Sequence, residues 1–383
     1  MPLYEGIALI HEKQAVVLDI GAAYTKFGFT GEPSPRCIIP SEYTCPKTKE
    51  VKNVFEFKSI EELYNTLVEF IHLLYFRHVL VSPKDRKVII VESLLSPTIF
   101  RDTLAKVLFC HFEVSSVLFV PKPLVSVCAL GVSTVLVVDL GYEEAVVMPV
   151  VHGVPLLKGW AAQALAARHL HRRLAVMLSE DNGGDLKLTE KVIEDIKVKT
   201  CLVTTMERAE QYALGSPPTP APAVSYPLGG CSTLTVQGRT RELAAEVLFP
   251  RDNDNLALGS IILDSILKCP IDTRIPLSES ILLTGGTAML PGIKARIKTE
   301  LEHLITQPLY KDRCFLKEFK FHTAPAKENY IAWLGGAIFG GTDLINTRSL
   351  SRDCYLKNLR VPDWPNHIDN SFTQQDHKFG ISL

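Results

Sequence analysis

Twice along the chain an apolar run ends in aspartate, one apolar residue and glycine: VVLDIG at Val16–Gly21 and VLVVDLG at Val135–Gly141. The two aspartates, Asp19 and Asp139, stand 120 positions apart. Short runs of aliphatic and β-branched residues read as strands buried on both faces, and a glycine just beyond marks a tight turn at the strand end. A repeat at this spacing predicts two related halves. At 383 residues and 46% hydrophobic content, the chain is long and apolar enough to bury the core that each half needs.

After the first glycine come Ala22, Ala23, Tyr24, Thr25 and Lys26. Backbone N–H groups in such a turn can cradle phosphate oxygens, Lys26 can add charge, and Asp19 can hold a hydrated divalent cation. The same pattern also serves as a plain turn. The second copy carries Tyr142, Glu143 and Glu144 where a phosphate would want small residues. Two aspartates from two halves nevertheless predict a polyphosphate cradle, with Mg²⁺ held by Asp19 and Asp139 through water. A third glycine loop, LLTGGTAMLPG (Leu282–Gly292), leaves a strand and enters a helix. There Gly285 and Gly286 allow close backbone approach and Met289 can lie against a base, although a strand-to-helix turn with a core methionine reads the same way.

Forty-one basic residues against forty-two acidic ones leave a net charge of -1, which is not the footprint of a nucleic-acid binder. No apolar run approaches the ~18 residues of a membrane helix, so a soluble intracellular chain is expected. Nine scattered cysteines without a C-x-x-C pair fit neither a disulfide framework nor a zinc site, and read as reduced, mostly buried thiols.

Strands over Lys87–Ser93 and Ser133–Leu140 alternate with helical patterns, the signature of an α/β protein. Ser59 and Glu62 form a capping box ahead of Ile60, Leu63, Leu67 and Ile71. Ser96 and Pro97 start a second helix with Phe100, Leu104, Val107 and Leu108 on its buried face. Ile293, Ile297, Leu301 and Leu304 make one core-facing stripe. Ser179–Leu188 and the proline-dense Gly215–Ala223 read as exposed loops, and the tail from about Arg360 lacks periodicity.

The chain resembles the actin family in DIGAAYTKFGFTGEPSPRCIIPS (Asp19–Ser41), IEDIKVKTCLV (Ile193–Val203), LDSILKCPIDTR (Leu263–Arg274), LLTGGTAMLPG and YIAWLGGAIFG (Tyr330–Gly340), in order from Val16 to Trp364. That resemblance implies an α/β bilobed actin-like fold, shared with sugar kinases and chaperone ATPases, around a nucleotide cleft. The implied first lobe is 1–147 with 322–383, and the second is 148–321. Ten positions match residues that actins use for ATP or ADP with Mg: Asp19, Gly21, Lys26, Asp139, Gly141, Lys197, Gly285, Gly286, Thr287 and Met289. Ala22, Ala23 and Tyr24 complete the first phosphate loop.

Other positions depart from the family pattern. Ala22 stands where actin has a serine on the terminal phosphate, and Tyr142 and Glu143 replace an aspartate and a glycine. Val198 replaces a glutamate at the ribose, Asn329 a lysine near the adenine, and Lys122 the glutamine that orients the attacking water. A lysine cannot accept a hydrogen bond from that water, so hydrolysis is expected to be slow or absent and the nucleotide structural.

The segment 41–59 is shorter by roughly 25 to 30 residues than the pointed-end subdomain of conventional actin, more than loops ordinarily drift. A subunit with one good face and one blunted face ends a head-to-tail filament. The resemblance is strongest to the pointed-end actin-related proteins of dynactin (the actin-related protein 10/11 group), through PRCIIPS, LYFRHVLVSP, CPIDTR and AWLGGAIFG. It implies a cytoplasmic, cytoskeletal cap. Its partners would be the adjacent actin-like filament subunits, the other pointed-end subunits and, indirectly, dynein, with no nucleic acid and no membrane insertion. The competing expectations are a slow actin-like ATPase, a sugar-kinase relative and an actin-related subunit of a chromatin-remodelling complex.

Overall fold

The computed structural model describes residues 14–44, 49–184, 186–229, 232–250 and 257–362. The chain forms two compact units, one of residues up to 129 together with those from 332 onward, the other of residues 130–331. The actin-family resemblance implies divisions after 147 and after 321.

The first unit is built on a six-stranded sheet. Its strands are β1 (Val16–Ile20), β2 (Tyr24–Phe29), β3 (Cys37–Pro40), β6 (Lys87–Glu92), β7 (Ser116–Pro121) and the short Leu350–Ser351, in the order Leu350–Ser351, β7, β6, β1, β2, β3. Every residue of β1 is buried, and β1 is an inner strand, paired antiparallel with β2 on one edge and parallel with β6 on the other. β7 continues the parallel set beyond β6, so the carboxyl ends of β1, β6 and β7 share one edge of the sheet. Open α/β sheets place ligands at that edge.

Helix α1 (Ile60–Leu73) starts where the capping box predicted: Ser59 Oγ accepts the Glu62 N–H at 3.1 Å, and Leu63, Leu67, Phe70 and Ile71 are buried. Helix α2 (Thr98–Lys106) buries Phe100 and Leu104 as expected, and continues through a π-helical turn that buries Val107 and Leu108. β7 runs straight into α3 (Lys122–Leu130). The helix Ile331–Gly340 lies close against this sheet. Trp333 is fully buried and donates its indole N–H to Val17 O at 3.1 Å, and a methyl carbon on Gly335 would stand 1.7 Å from Val125 O. Only glycine permits that approach.

Between β3 and α1 the described residues of the segment 41–59 hold a two-stranded hairpin, β4 (Glu42–Thr44) with β5 (Val51–Asn53). Phe55, just after it, stacks on Phe100 at 4.6 Å.

The second unit repeats the plan. β8 (Val135–Leu140) pairs antiparallel with β9 (Ala145–Val151) and parallel with the strand Ile281–Thr284, as β1 pairs with β2 and β6. Because β8 is bound on both edges to strands of this unit, the division falls before it. Its core takes in Leu136, Val138, Leu170, Ile193, Ile262 and Ile297. Among the predicted stripe residues, Ile293, Ile297 and Leu301 are buried and Leu304 packs partly against the same core.

One of the two expected loops is shortened, and the other is an exposed loop as read from the sequence. The helix Ala167–Asp181 takes in the first residues of the expected Ser179–Leu188 loop. The proline stretch is irregular but pinned: Arg208 donates to Thr219 O at 2.9 Å, Ala221 N–H donates to Glu242 at 3.0 Å, and Arg241 bonds Pro222 O. Of the described cysteines, Cys201, Cys269 and Cys314 are buried, Cys37 and Cys354 are half-buried, and Cys110 and Cys128 are exposed, all as free thiols. Cys45, Cys231 and the tail beyond 362 lie outside the described residues. Among those described, no helix is long and apolar enough to cross a membrane.

Candidate nucleotide site

The two aspartate turns close identically. In the first, Gly21 N–H donates to Tyr24 O at 3.1 Å; in the second, Gly141 N–H donates to Glu144 O at 3.0 Å. A methyl carbon on Gly21 would stand 2.8 Å from Tyr24 O, too close to be accommodated without a shift, and one on Gly141 would stand 3.0 Å from Glu144 O, a tight contact.

The surroundings of the aspartates then diverge, starting with the cross-strand neighbour. Asp19 pairs across the hairpin with Lys26, whereas Asp139 pairs with Val146. Asp19 is 1% exposed; its Oδ2 lies 2.9 Å from Lys26 Nζ, and its Oδ1 lies 3.1 Å from Lys122 Nζ. Lys122 is the first residue of α3, and its long side chain reaches Asp19 from beyond the carboxyl end of β7. Burial by itself raises the Asp19 carboxyl, but Lys122 and then Lys26 outweigh it and hold the group below the usual carboxylate value.

The reduced segment is bound directly to this turn. Ser41 Oγ donates to Gly21 O at 2.5 Å, Asn53 Nδ2 to Ala22 O at 2.9 Å, and Ser41 N–H to Ala23 O at 2.9 Å. Tyr24 is partly exposed at the start of β2.

The second unit brings Asp139, Gly141, Gly285 and Thr287 together. Thr284 is the register partner of Asp139, and Thr287 Oγ1 donates to Gly141 O at 2.9 Å. Gly285 adopts φ +94°, and a methyl carbon there would stand 2.3 Å from Leu140 O and 2.7 Å from Asp139 Oδ1. Gly286 has open space instead. Met289 is exposed and lines a cavity of about 790 Å³ with Phe319, Phe321, Lys294 and Lys298. The core-methionine alternative therefore does not hold.

The acidic second turn is neutralised locally. Glu143 is paired with Arg168 at 2.6 Å, and Tyr142 donates to Glu190 at 2.6 Å. Burial first, then the bond to Glu190, pushes the Tyr142 phenol up to about 12. The first amides of the helix Ala167–Asp181 donate to turn carbonyls, Ala167 N–H to Gly141 O and Arg168 N–H to Tyr142 O. Lys197, expected on the nucleotide, is 4% exposed, with Nζ 2.5 Å from Glu194 and 3.0 Å from His171 Nε2. The His171 ring bonds Glu190 on one nitrogen and lies 2.7 Å from Glu194 on the other. Local sequence carried no signal for this network, whose members come from two helices.

The donor sets can be compared with the cofactor expected. A divalent cation needs oxygen ligands carrying net negative charge. Asp19 has one negative charge against two ammonium groups, so it does not suit a hydrated Mg²⁺, whereas the turn beside it suits an anion. Among the described residues no cluster of three His, Cys, Asp or Glu side chains could hold a metal.

A family model described as Actin matches residues 10–186 and 185–358. The chain belongs to the actin family. Among curated relatives, the protein named Actin-related protein 10 from Dictyostelium discoideum is 26% identical over 443 aligned residues, covering 94% of this chain and 91% of its own. Putative actin-29 from the same organism is 25% identical, covering 90% and 94%. The α/β actin-like fold implied by the sequence is thus the fold of this actin-family chain. Members of the family generally bind ATP or ADP with Mg.

Proposed function

We propose that this chain is a non-catalytic actin-related subunit of dynactin that caps the pointed end of its actin-like filament, supporting dynein-driven transport on microtubules and cargo attachment. The observation that carries the reading is the segment 41–59. Where conventional actin builds a subdomain that grips the next subunit, the described residues here form only the β4–β5 hairpin, held down on the Asp19 turn by Ser41 and Asn53. A head-to-tail contact needs two faces, and blunting one ends the series. The likeness to Actin-related protein 10 supports membership of this group.

ATP or ADP serves as a structural ligand in this reading, stabilising the folded state by mass action. The residues assigned to it are Asp19, Gly21, Ala22, Ala23, Tyr24 and Lys26 in the first unit, and Asp139, Gly141, Gly285, Gly286, Thr287 and Met289 in the second; Lys197, which the family pattern also places there, instead spends its ammonium on Glu194 and His171. Lys122 supports the absence of turnover: an ammonium only donates, and this one is engaged with Asp19. Partners are the adjacent actin-like filament subunits and the other pointed-end subunits, in the cytoplasm.

Affinity isolation of the tagged chain from its own cells, with identification of the co-purifying proteins, tests this. Dynactin subunits are the expected result. Recovery of chromatin-remodelling subunits without them overturns the cap, and steady ATP turnover at an ordinary actin rate overturns the non-catalytic assignment.

A further inference from the structure

We infer that the Asp19 turn takes the phosphates of a nucleotide as a metal-free polyanion, with Lys26 and Lys122 supplying the counter-charge that a divalent cation would otherwise bring. The inference rests on the nucleotide reading above and concerns the first unit alone.

The backbone supplies the first argument. A trans peptide points its C=O and the following N–H in opposite directions. The Gly21 carbonyl is tied to Ser41 Oγ and the Ala22 carbonyl to Asn53 Nδ2. Those two bonds turn the N–H groups of Ala22 and Ala23, which belong to the same two peptides, away from the hairpin. Among the described residues nothing accepts a hydrogen bond from either of them. Successive amides presented in one direction make an anion-binding concavity, and the small side chains of Ala22 and Ala23 leave it open.

Charge supplies the second argument. The Asp19 carboxylate has an ammonium on each oxygen, at 2.9 Å and 3.1 Å, and the Lys26 and Lys122 side chains are only 12% and 15% exposed. One negative and two positive charges leave the edge of the turn positive in a poorly solvated place. A divalent cation carried on Asp19 would have to displace these ammonium groups or stand beside them. A phosphate meets two amides and a net positive charge instead.

Equilibrium dialysis of the purified full chain against radiolabelled ATP, once with MgCl₂ and once with excess EDTA, is the test. Affinity in EDTA within about tenfold of that in MgCl₂ is the expected result, and Lys122→Gln should lower the EDTA affinity by about tenfold or more, the loss of one charge-assisted contact. A wild-type chain that binds in MgCl₂ and loses more than about tenfold in EDTA overturns this inference and leaves the nucleotide reading intact. Binding in neither buffer overturns both. An unchanged EDTA affinity in Lys122→Gln overturns the role given to Lys122.

Discussion

Replacing Asp19 by asparagine keeps the shape of the side chain and removes the charge that both lysines face. At an effective dielectric of about 20, each contact near 3 Å carries about 5–6 kcal/mol of gross Coulomb attraction, most of it offset by the desolvation of the ions. What the substitution exposes is the uncompensated remainder. Breaking a buried pair by removing one partner typically costs about 3–5 kcal/mol, and here two poorly exposed ammonium groups, Lys26 and Lys122, lose the carboxylate they share. With a urea slope of about 2–3 kcal/mol/M, the midpoint of the first unit should fall by about 1–2.5 M. Trp333 is a native reporter, fully buried and bonded to Val17 O on the strand that carries Asp19. Its fluorescence should be followed in urea without added nucleotide, so that mass action does not mask the loss. The double variant Asp19→Asn/Lys122→Met removes one stranded ammonium and should recover about 1–3 kcal/mol, a coupling expected of residues in one network. A cost below about 1 kcal/mol for Asp19→Asn, or no recovery in the double variant, would refute the ion-pair account.

Two further outcomes follow from the second unit. Burial pushes the Glu194 carboxyl up, but the bond to His171 and the charge of Lys197 outweigh it and bring the group down to about 2. A depressed carboxylate contributes stability above its unfolded value of about 4.3 that is lost as pH falls toward the folded one, so the urea midpoint should drop between pH 5 and pH 2, and Glu194→Gln should flatten that slope. An identical slope in the variant would remove Glu194 from the account. Gly285→Ala meets both a positive φ and the Leu140 and Asp139 oxygens, so it should cost more than about 1 kcal/mol, while Gly286→Ala, with open space around it, should stay within about 0.5 kcal/mol in the same thermal melt.

Features set by neighbours along the chain were legible in the sequence. Ser59 and Glu62 lie within one helical turn, so the capping bond could be read from spacing alone, as could the burial of Ile293, Ile297 and Leu301. The Asp-x-Gly turns were legible for the same reason, because the bond from Gly21 N–H to Tyr24 O spans three residues. Contacts from distant elements were not. The exposed proline stretch was legible as a loop, but its pinning was not, because Arg208, Arg241 and Glu242 come from two other helices. Lys197 kept its place in the motif, yet its ammonium went to Glu194 and His171, and His171 carried no signal of its own. The exposure of Cys110 and Cys128 likewise depends on which helix face meets solvent.

By itself the amino-acid order determined two aspartate turns, two α/β halves, an actin-family likeness and a short segment between β3 and α1, since each is written in composition, spacing or length. Only the tertiary structure decided what the turns hold. The same dipeptide geometry closes both, but the hairpin register sets Lys26 opposite Asp19 and Val146 opposite Asp139, and the end of β7 delivers Lys122 to the first aspartate. Charge compensation acts through space over a few ångströms, and chain order does not specify which distant side chain will occupy that space.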